Sequence, residues 1–189
     1  MLERLAGNDA LKRELGTALH SGRLPHAVLL VGEPGCGAGF AARCLAADYL
    51  YPAGGPHAEA VLKGEDSECL ALRGEGASGQ IPVKRVREAR EAIQRSALST
   101  DAAGRVLFIY GAQNLNGTQG SSANALLKII EEPPEGVLFI YGAQNLNGTQ
   151  GSSANALLKI IEEPPEGVLF IYGAQNLNGT QGSSANALL

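Results

Sequence analysis

The chain has 189 residues, enough to bury one sizeable core with a small appendage, so one main domain is expected. Its 15 basic residues stand against 19 acidic ones, a formal net charge of -4, which excludes a protein that grips nucleic acid through its own electrostatic surface. Cys36, Cys44 and Cys69 form no CxxC pair and leave an odd count, indicating neither a disulfide framework nor a zinc module; with no apolar run longer than a strand, a cytoplasmic protein without a membrane segment is expected.

Asn8 is placed to cap a helix in which Leu11, Leu15, Ala18 and Leu19 recur at helical spacing, and Pro25 is expected to stop it. His26 to Val31 is a continuous apolar run, too short for a helix, which suits a strand buried on both faces of a parallel sheet. The stretch that follows, "GEPGCGAG", has the glycines of the phosphate-binding pattern G-x-x-x-x-G-K-[ST]. Ala38 and Gly39 stand where the lysine and the hydroxyl belong. In a hydrolytic loop that lysine reaches the β- and γ-phosphates and the hydroxyl ligates Mg²⁺. Gly32, Gly35, Gly37, Ala38 and Gly39 therefore read as a degenerate loop, a backbone turn between strand and helix with weak or no hold on a nucleotide. A helix from about Phe40 to Leu50 completes the unit.

Residues 52–67 read as a loop with a short helical turn around Ala58 to Lys63. "CLAL" at 69–72 suits a short strand, "KRVREAREAIQRSAL" a helix with Val86, Ala89 and Ile93 on one side, and "RVLFIY", Arg105 to Tyr110, a second buried strand. "SSANALLKIIEE" begins with a serine cap and ends where Pro133 and Pro134 forbid continuation. Alternating strands and helices predict an α/β fold, a parallel sheet flanked by helices on both faces.

From Val106 the string "VLFIYGAQNLNGTQGSSANALLKIIEEPPEG" fills 106–136, recurs unchanged at 137–167 and starts again at 168. A period of 31 residues is of solenoid size, but the copies are identical and carry no atypical capping unit, which speaks against a solenoid. The expected division is a domain at 1–140, in which the second "VLFI" serves as the fourth strand, followed by duplicated strand-helix segments at 141–189. Three identical strands competing for adjacent sheet positions make a frustrated landscape.

"RLPHAVLLVGEPGCG" (23–37), "IPVKRVREAREAI" (81–93) and "SSANALLKIIEEPPEGVLFI" (121–140) resemble, in order and spacing, landmarks of the bacterial DNA polymerase III delta-prime subunit, a clamp-loader protein of the AAA+ class. The resemblance implies a Rossmann-like AAA+ domain of the P-loop type and a structural, ATP-inert stator role in loading the sliding clamp during DNA replication. It implies the gamma/tau and delta subunits as partners, with the clamp and primed DNA reached through them. Where the family's motor members carry Asp-Glu-Ala-Asp after the third strand, this chain has Tyr110, Gly111, Ala112 and Gln113. Both halves of a hydrolytic site are thus degenerate, so no catalytic residue, no ATP and no Mg²⁺ are expected. The zinc module of many family members is not carried over, since its segment offers only His57 and Cys69. The Ser-Arg-Cys motif, lid and collar that the family places after the fourth strand are expected to be absent, their place being taken by the repeat.

His26 reads as a packed structural histidine, Cys36 as a small filler in the loop, and Lys84, Arg85, Arg87 and Arg90, interleaved with Glu88 and Glu91, as a solvated or subunit-facing helix. Two other function classes remain open from sequence: a divergent P-loop ATPase, and an interaction module built on the 31-residue units.

Overall fold

The computed structural model describes residues 1–31, 35–76, 79–95, 99–111, 122–143 and 168–172. A 3-10 turn at Leu2–Arg4 leads into α1 (Asp9–His20), β1 (Ala27–Val31), α2 (Ala38–Leu50), α3 (Pro56–Lys63) and β2 (Cys69–Leu72). Then follow α4 (Val83–Ile93), β3 (Arg105–Tyr110), α5 (Ser122–Glu131), β4 (Val137–Ala143) and β5 (Val168–Tyr172). The segments of the second and third repeats expected to be helical lie outside the described residues.

Both ends of α1 differ in detail from the sequence reading. Asn8 occupies the cap position in left-handed conformation (φ 52°) and its side chain makes no bond into the helix. Gly22 (φ 65°) ends the helix well before Pro25: its N–H donates to the Leu19 carbonyl at 3.2 Å and that of Arg23 to the Ala18 carbonyl at 3.0 Å. That paired closure needs a left-handed residue, which glycine adopts without Cβ strain. The expected turn at Ala58 to Lys63 is a helix of two turns, α3. Pro56 pre-sets its first turn, and Ala58 and Val61 bury its inner side.

The strands form one parallel sheet in the order β2-β3-β4-β1-β5. One face is covered by α2, backed by α1 and α3; Leu15, Cys44, Leu45, Ala46, Ala47 and Leu50 are completely buried there. The run of alanines and a cysteine in α2 lets its backbone lie close to the strands. On the other face α4 packs against β2, β3 and α5, burying Val86, Ile93, Leu126 and Ile129.

The repeated word "VLFI" is used in two orientations. In β3 and β4 the identical strands pair with an offset of one residue, Val106 opposite Leu138 and Phe108 opposite Ile140. Val106 and Phe108 of β3 therefore join the core beneath α2 alongside Leu138 and Ile140 of β4. A one-residue slip turns every side chain to the other face, which would ruin a half-exposed strand. Here both faces are buried, and every one of these residues is at most 5% exposed.

The lower rim of the sheet, where β2 and β3 begin, is polar inside. Glu68, fully buried, pairs with Arg105 at 3.2 Å, and its Oε1 accepts the Ser99 N–H at 2.7 Å. The Arg105 guanidinium also donates to the Ala92 carbonyl at 2.7 Å, tying α4 to β3. Buried Asp66 accepts the Tyr51 hydroxyl at 3.0 Å and the Glu68 N–H at 2.9 Å. Beside this cluster the entries to β3 and β4 nearly touch. The Arg105 N–H donates to the Gly136 carbonyl at 2.8 Å, and a Cβ on Gly104 would run into that carbonyl.

Candidate functional site: a glycine turn at the upper rim

A buried apolar strand followed by a helix of small residues leaves a short backbone turn between them, and glycines allow it. Gly35 (φ 87°) and Gly37 (φ 90°) are both left-handed, and the Gly37 carbonyl accepts the Phe40 and Ala41 N–H groups at 3.0 and 2.9 Å to start α2. Neither glycine is forced by crowding, since an added Cβ would meet nothing within 4 Å at Gly35, Gly37 or Gly39. Their φ angles are the reason for glycine at 35 and 37; Gly39 sits inside the helix at negative φ with open space around it. Gly35, Cys36, Gly37 and Gly39 are exposed and Ala38 half-buried, so the loop faces outward as an anion cradle would. Gly32 lies outside the described residues.

Beside the loop is a cavity of about 290 Å³, lined by Arg4, Asn8, Leu11, Leu30 and Phe40 together with Gly35 to Ala38. The chain segment before α1 supplies one wall of it. Arg4 brings a cation to this wall, though it is already paired with Glu59 at 2.7 Å. The sequence does not place Arg4 and Asn8 beside the loop, because nothing local in the chain tells that residues before α1 return to it.

The second half of the site stands at the upper end of β3. Tyr110 there stacks on Phe108, ring centroids 5.7 Å apart, and the Arg73 guanidinium lies 4.0 Å from the Tyr110 ring centre. Arg73 directly follows β2, and the pairing of Leu72 with Ile109 is what delivers it to Tyr110. A hydrolytic site needs carboxylates here to hold a metal and polarise water. The residues present offer a ring and a cation instead. Gly111 (φ 69°) continues the ladder, its N–H donating to the Gly142 carbonyl at 2.9 Å; Ala112 and Gln113 lie outside the described residues.

The remaining candidates fall elsewhere. Cys44 is fully buried in α2, and Cys69 sits in β2 with its thiol pushed up to about 12 by burial and by the Asp66 and Glu68 carboxylates. His57 stacks on Tyr51 and approaches Asp66 at 3.6 Å, and no His, Cys, Asp and Glu group suited to a metal occurs among the described residues. On α4, Arg85 pairs with Glu75 at 2.6 Å and Glu88 at 3.3 Å, and Lys84 approaches Glu88 at 3.8 Å, as on a solvated helix face. No described helix is long and apolar enough to cross a membrane.

Comparison with solved structures supports the architecture. A DNA polymerase III gamma subunit-related protein of Thermotoga maritima superposes with a TM-score of 0.50 at 15% identity, covering 87% of this chain and 46% of that one. A RuvB variant of the same organism gives 0.50 at 17% identity, covering 88% and 45%. At such identities the likeness speaks for the AAA+ fold alone. By sequence, DNA polymerase III subunit gamma/tau of Mycobacterium bovis and of Mycobacterium tuberculosis are each 34% identical over 139 residues, 69% of this chain and 23% of theirs. The chain thus spans less than a quarter of the length of these curated relatives. The family model described as DNA polymerase III, delta subunit, matches residues 7–149, a span that starts before α1 and takes in the glycine turn, Tyr110 and all of β4. Sheet, loop and family match coincide over most of the chain, which belongs to the DNA polymerase III delta subunit family.

Proposed function

We propose that the chain acts as an ATP-inert, delta-prime-like subunit of a clamp loader, a structural stator in the cytoplasm that binds gamma/tau and delta subunits. Through them it serves the sliding clamp and primed DNA. One observation carries this reading: the turn of a phosphate loop is kept, with Gly35 and Gly37 left-handed, while the groups that would do chemistry are replaced. Ala38 supplies no ammonium, Gly39 no metal-binding oxygen, and Tyr110 with Arg73 over its ring no carboxylate. Selection for shape without hydrolysis explains both facts. The purified chain with Mg²⁺ and ATP is expected to show no turnover above background while retaining cognate gamma/tau and delta subunits in a pulldown. Sustained Mg²⁺-dependent hydrolysis by the pure chain overturns the proposal.

A second reading, nucleotide held but not hydrolysed, is favoured by the cavity of about 290 Å³ beside the loop. Titration with a fluorescent ATP analogue separates the two. The open space at Gly39 admits a side chain. Ala38→Lys combined with Gly39→Thr is therefore expected to strengthen nucleotide binding without creating turnover, because the β3 end still lacks its carboxylates.

A further inference from the structure

β1 lies between two copies of the same five-residue word, meeting β4 through Phe139–Ala143 and β5 through Val168–Tyr172. On one side β4 pairs Ala27 with Phe139 and Val28 with Ile140; on the other β5 pairs Ala27 with Val168 and Val28 with Leu169. Phe139 is the third residue of its copy and Val168 the first, so the two registers differ by two residues, the side-chain period of a strand. Between β3 and β4 the identical strands even tolerate an offset of one. Recognition of "VLFIY" by this sheet thus rests on backbone pairing and apolar character, not on a unique side-chain register. An edge that reads so little cannot distinguish its own chain's copy from that of another molecule.

We propose that Val168–Tyr172 is an exchangeable strand, and that two copies of this chain associate by each placing it beside β1 of the other. Three features of the molecule support the exchange. Among the described residues β5 is the terminal strand of the sheet and pairs with β1 alone. Its connection from β4, residues 144–167, can reach up to about 3.5 Å per residue, far beyond the two strand spacings of about 4.8 Å and the return of about 13 Å along β1 that closure within one chain requires. The strand carries no charge and no proline, the two devices that usually guard a sheet margin against pairing with other chains. Swapping an identical element costs no native contact except at the connection, so the exchanged dimer retains every ladder of the monomer.

The full chain, refolded at increasing concentration and sized by light scattering, is expected to show a rising dimer fraction that persists on dilution. Phe170→Pro and Ile171→Pro place proline at consecutive strand positions; alternate N–H groups point to opposite edges, so one of the two cuts the ladder to β1. That variant is expected to lose the dimer, and Phe170→Leu to keep it. A second arm does not depend on proline. In a Cys36→Ser background, chains carrying Ala27→Cys are mixed with chains carrying Val168→Cys and refolded together. These positions are Cα partners, and adjacent strands lie within the separation a disulfide spans. A disulfide-linked heterodimer is expected after co-refolding. A chain that stays monomeric at every concentration, a dimer indifferent to both prolines, or no 27–168 link between chains overturns the proposal.

Discussion

The two ends of the sheet are built from the same strands yet spend polar groups in opposite ways. At the upper rim the loop has the backbone of a phosphate site and none of its charged side chains, and the cations nearby are occupied, Arg4 by Glu59 and Arg73 by the Tyr110 ring. At the lower rim Glu68, Arg105, Asp66 and Tyr51 are buried and bonded to one another or to backbone. Buried charge locks α4, β2 and β3 together at the lower rim, while the described turn residues 35–39 carry none. In this molecule the buried polar contacts that tie elements together lie at the lower rim, and the described glycine turn at the upper rim contributes none of them.

The sharpest way to break that contrast is Glu68→Ala, which strands the Arg105 guanidinium in the interior and frees the Ser99 N–H. Loss of one partner of a buried pair costs about 3–5 kcal/mol, so urea unfolding should show a large fall in midpoint, or no folded protein. An outcome within 1 kcal/mol of wild type, about the worth of an exposed pair, would deny the lower rim its role.

Glycine to alanine at the two rims comes next. Gly104→Ala drives a methyl group into the Gly136 carbonyl, so β3 and β4 must part at their entry, at about 1–3 kcal/mol. Gly37→Ala meets open space and costs only its left-handed backbone, about 1 kcal/mol. Thermal or urea denaturation of the pair should rank them in that order.

The smallest effect at neutral pH, and a growing one above it, comes from protons. Burial, and then the hydrogen bond to Asp66, push the Tyr51 hydroxyl from 10.0 up to about 12, and burial with the neighbouring carboxylates moves the Cys69 thiol from 9.0 to about 12. Both groups are held neutral in the folded state more strongly than in the unfolded chain. Their contribution is therefore complete below the unfolded values and is lost as pH rises through 9.0 and 10.0 towards about 12. Urea midpoints measured from about pH 8 to about pH 11 should fall, and Tyr51→Phe should flatten the upper part of that fall while lowering the neutral-pH value.

Much of the sheet was legible because its strands are continuous apolar runs and its helices periodic: β1, β2, β3 and α5 stand within a residue or so of where the pattern puts them. α3 was under-read, since eight residues starting at Pro56 look like loop until Ala58 and Val61 find α2 to pack on. The end of α1 was misassigned to Pro25 because proline is a louder signal than Gly22, although the glycine closes the helix first. At the site, Ala38, Gly39 and Tyr110 could be read one by one against a motif. Arg73 and Arg4 could not, because each reaches its place through tertiary contact, β2 beside β3 in one case and the segment before α1 folding back in the other. Likewise, no local pattern says which of three identical strands takes which slot.

The bond between the Tyr51 hydroxyl and the Asp66 carboxylate has one more consequence, an optical one. The chain contains no tryptophan, so its intrinsic emission comes from tyrosine alone. A phenol donating to a carboxylate emits weakly, because the excited ring gives up its proton to that acceptor. Opening of the lower rim should thus brighten the Tyr51 share of an emission contributed by five tyrosines, and the difference between wild type and Tyr51→Phe isolates that share without any label.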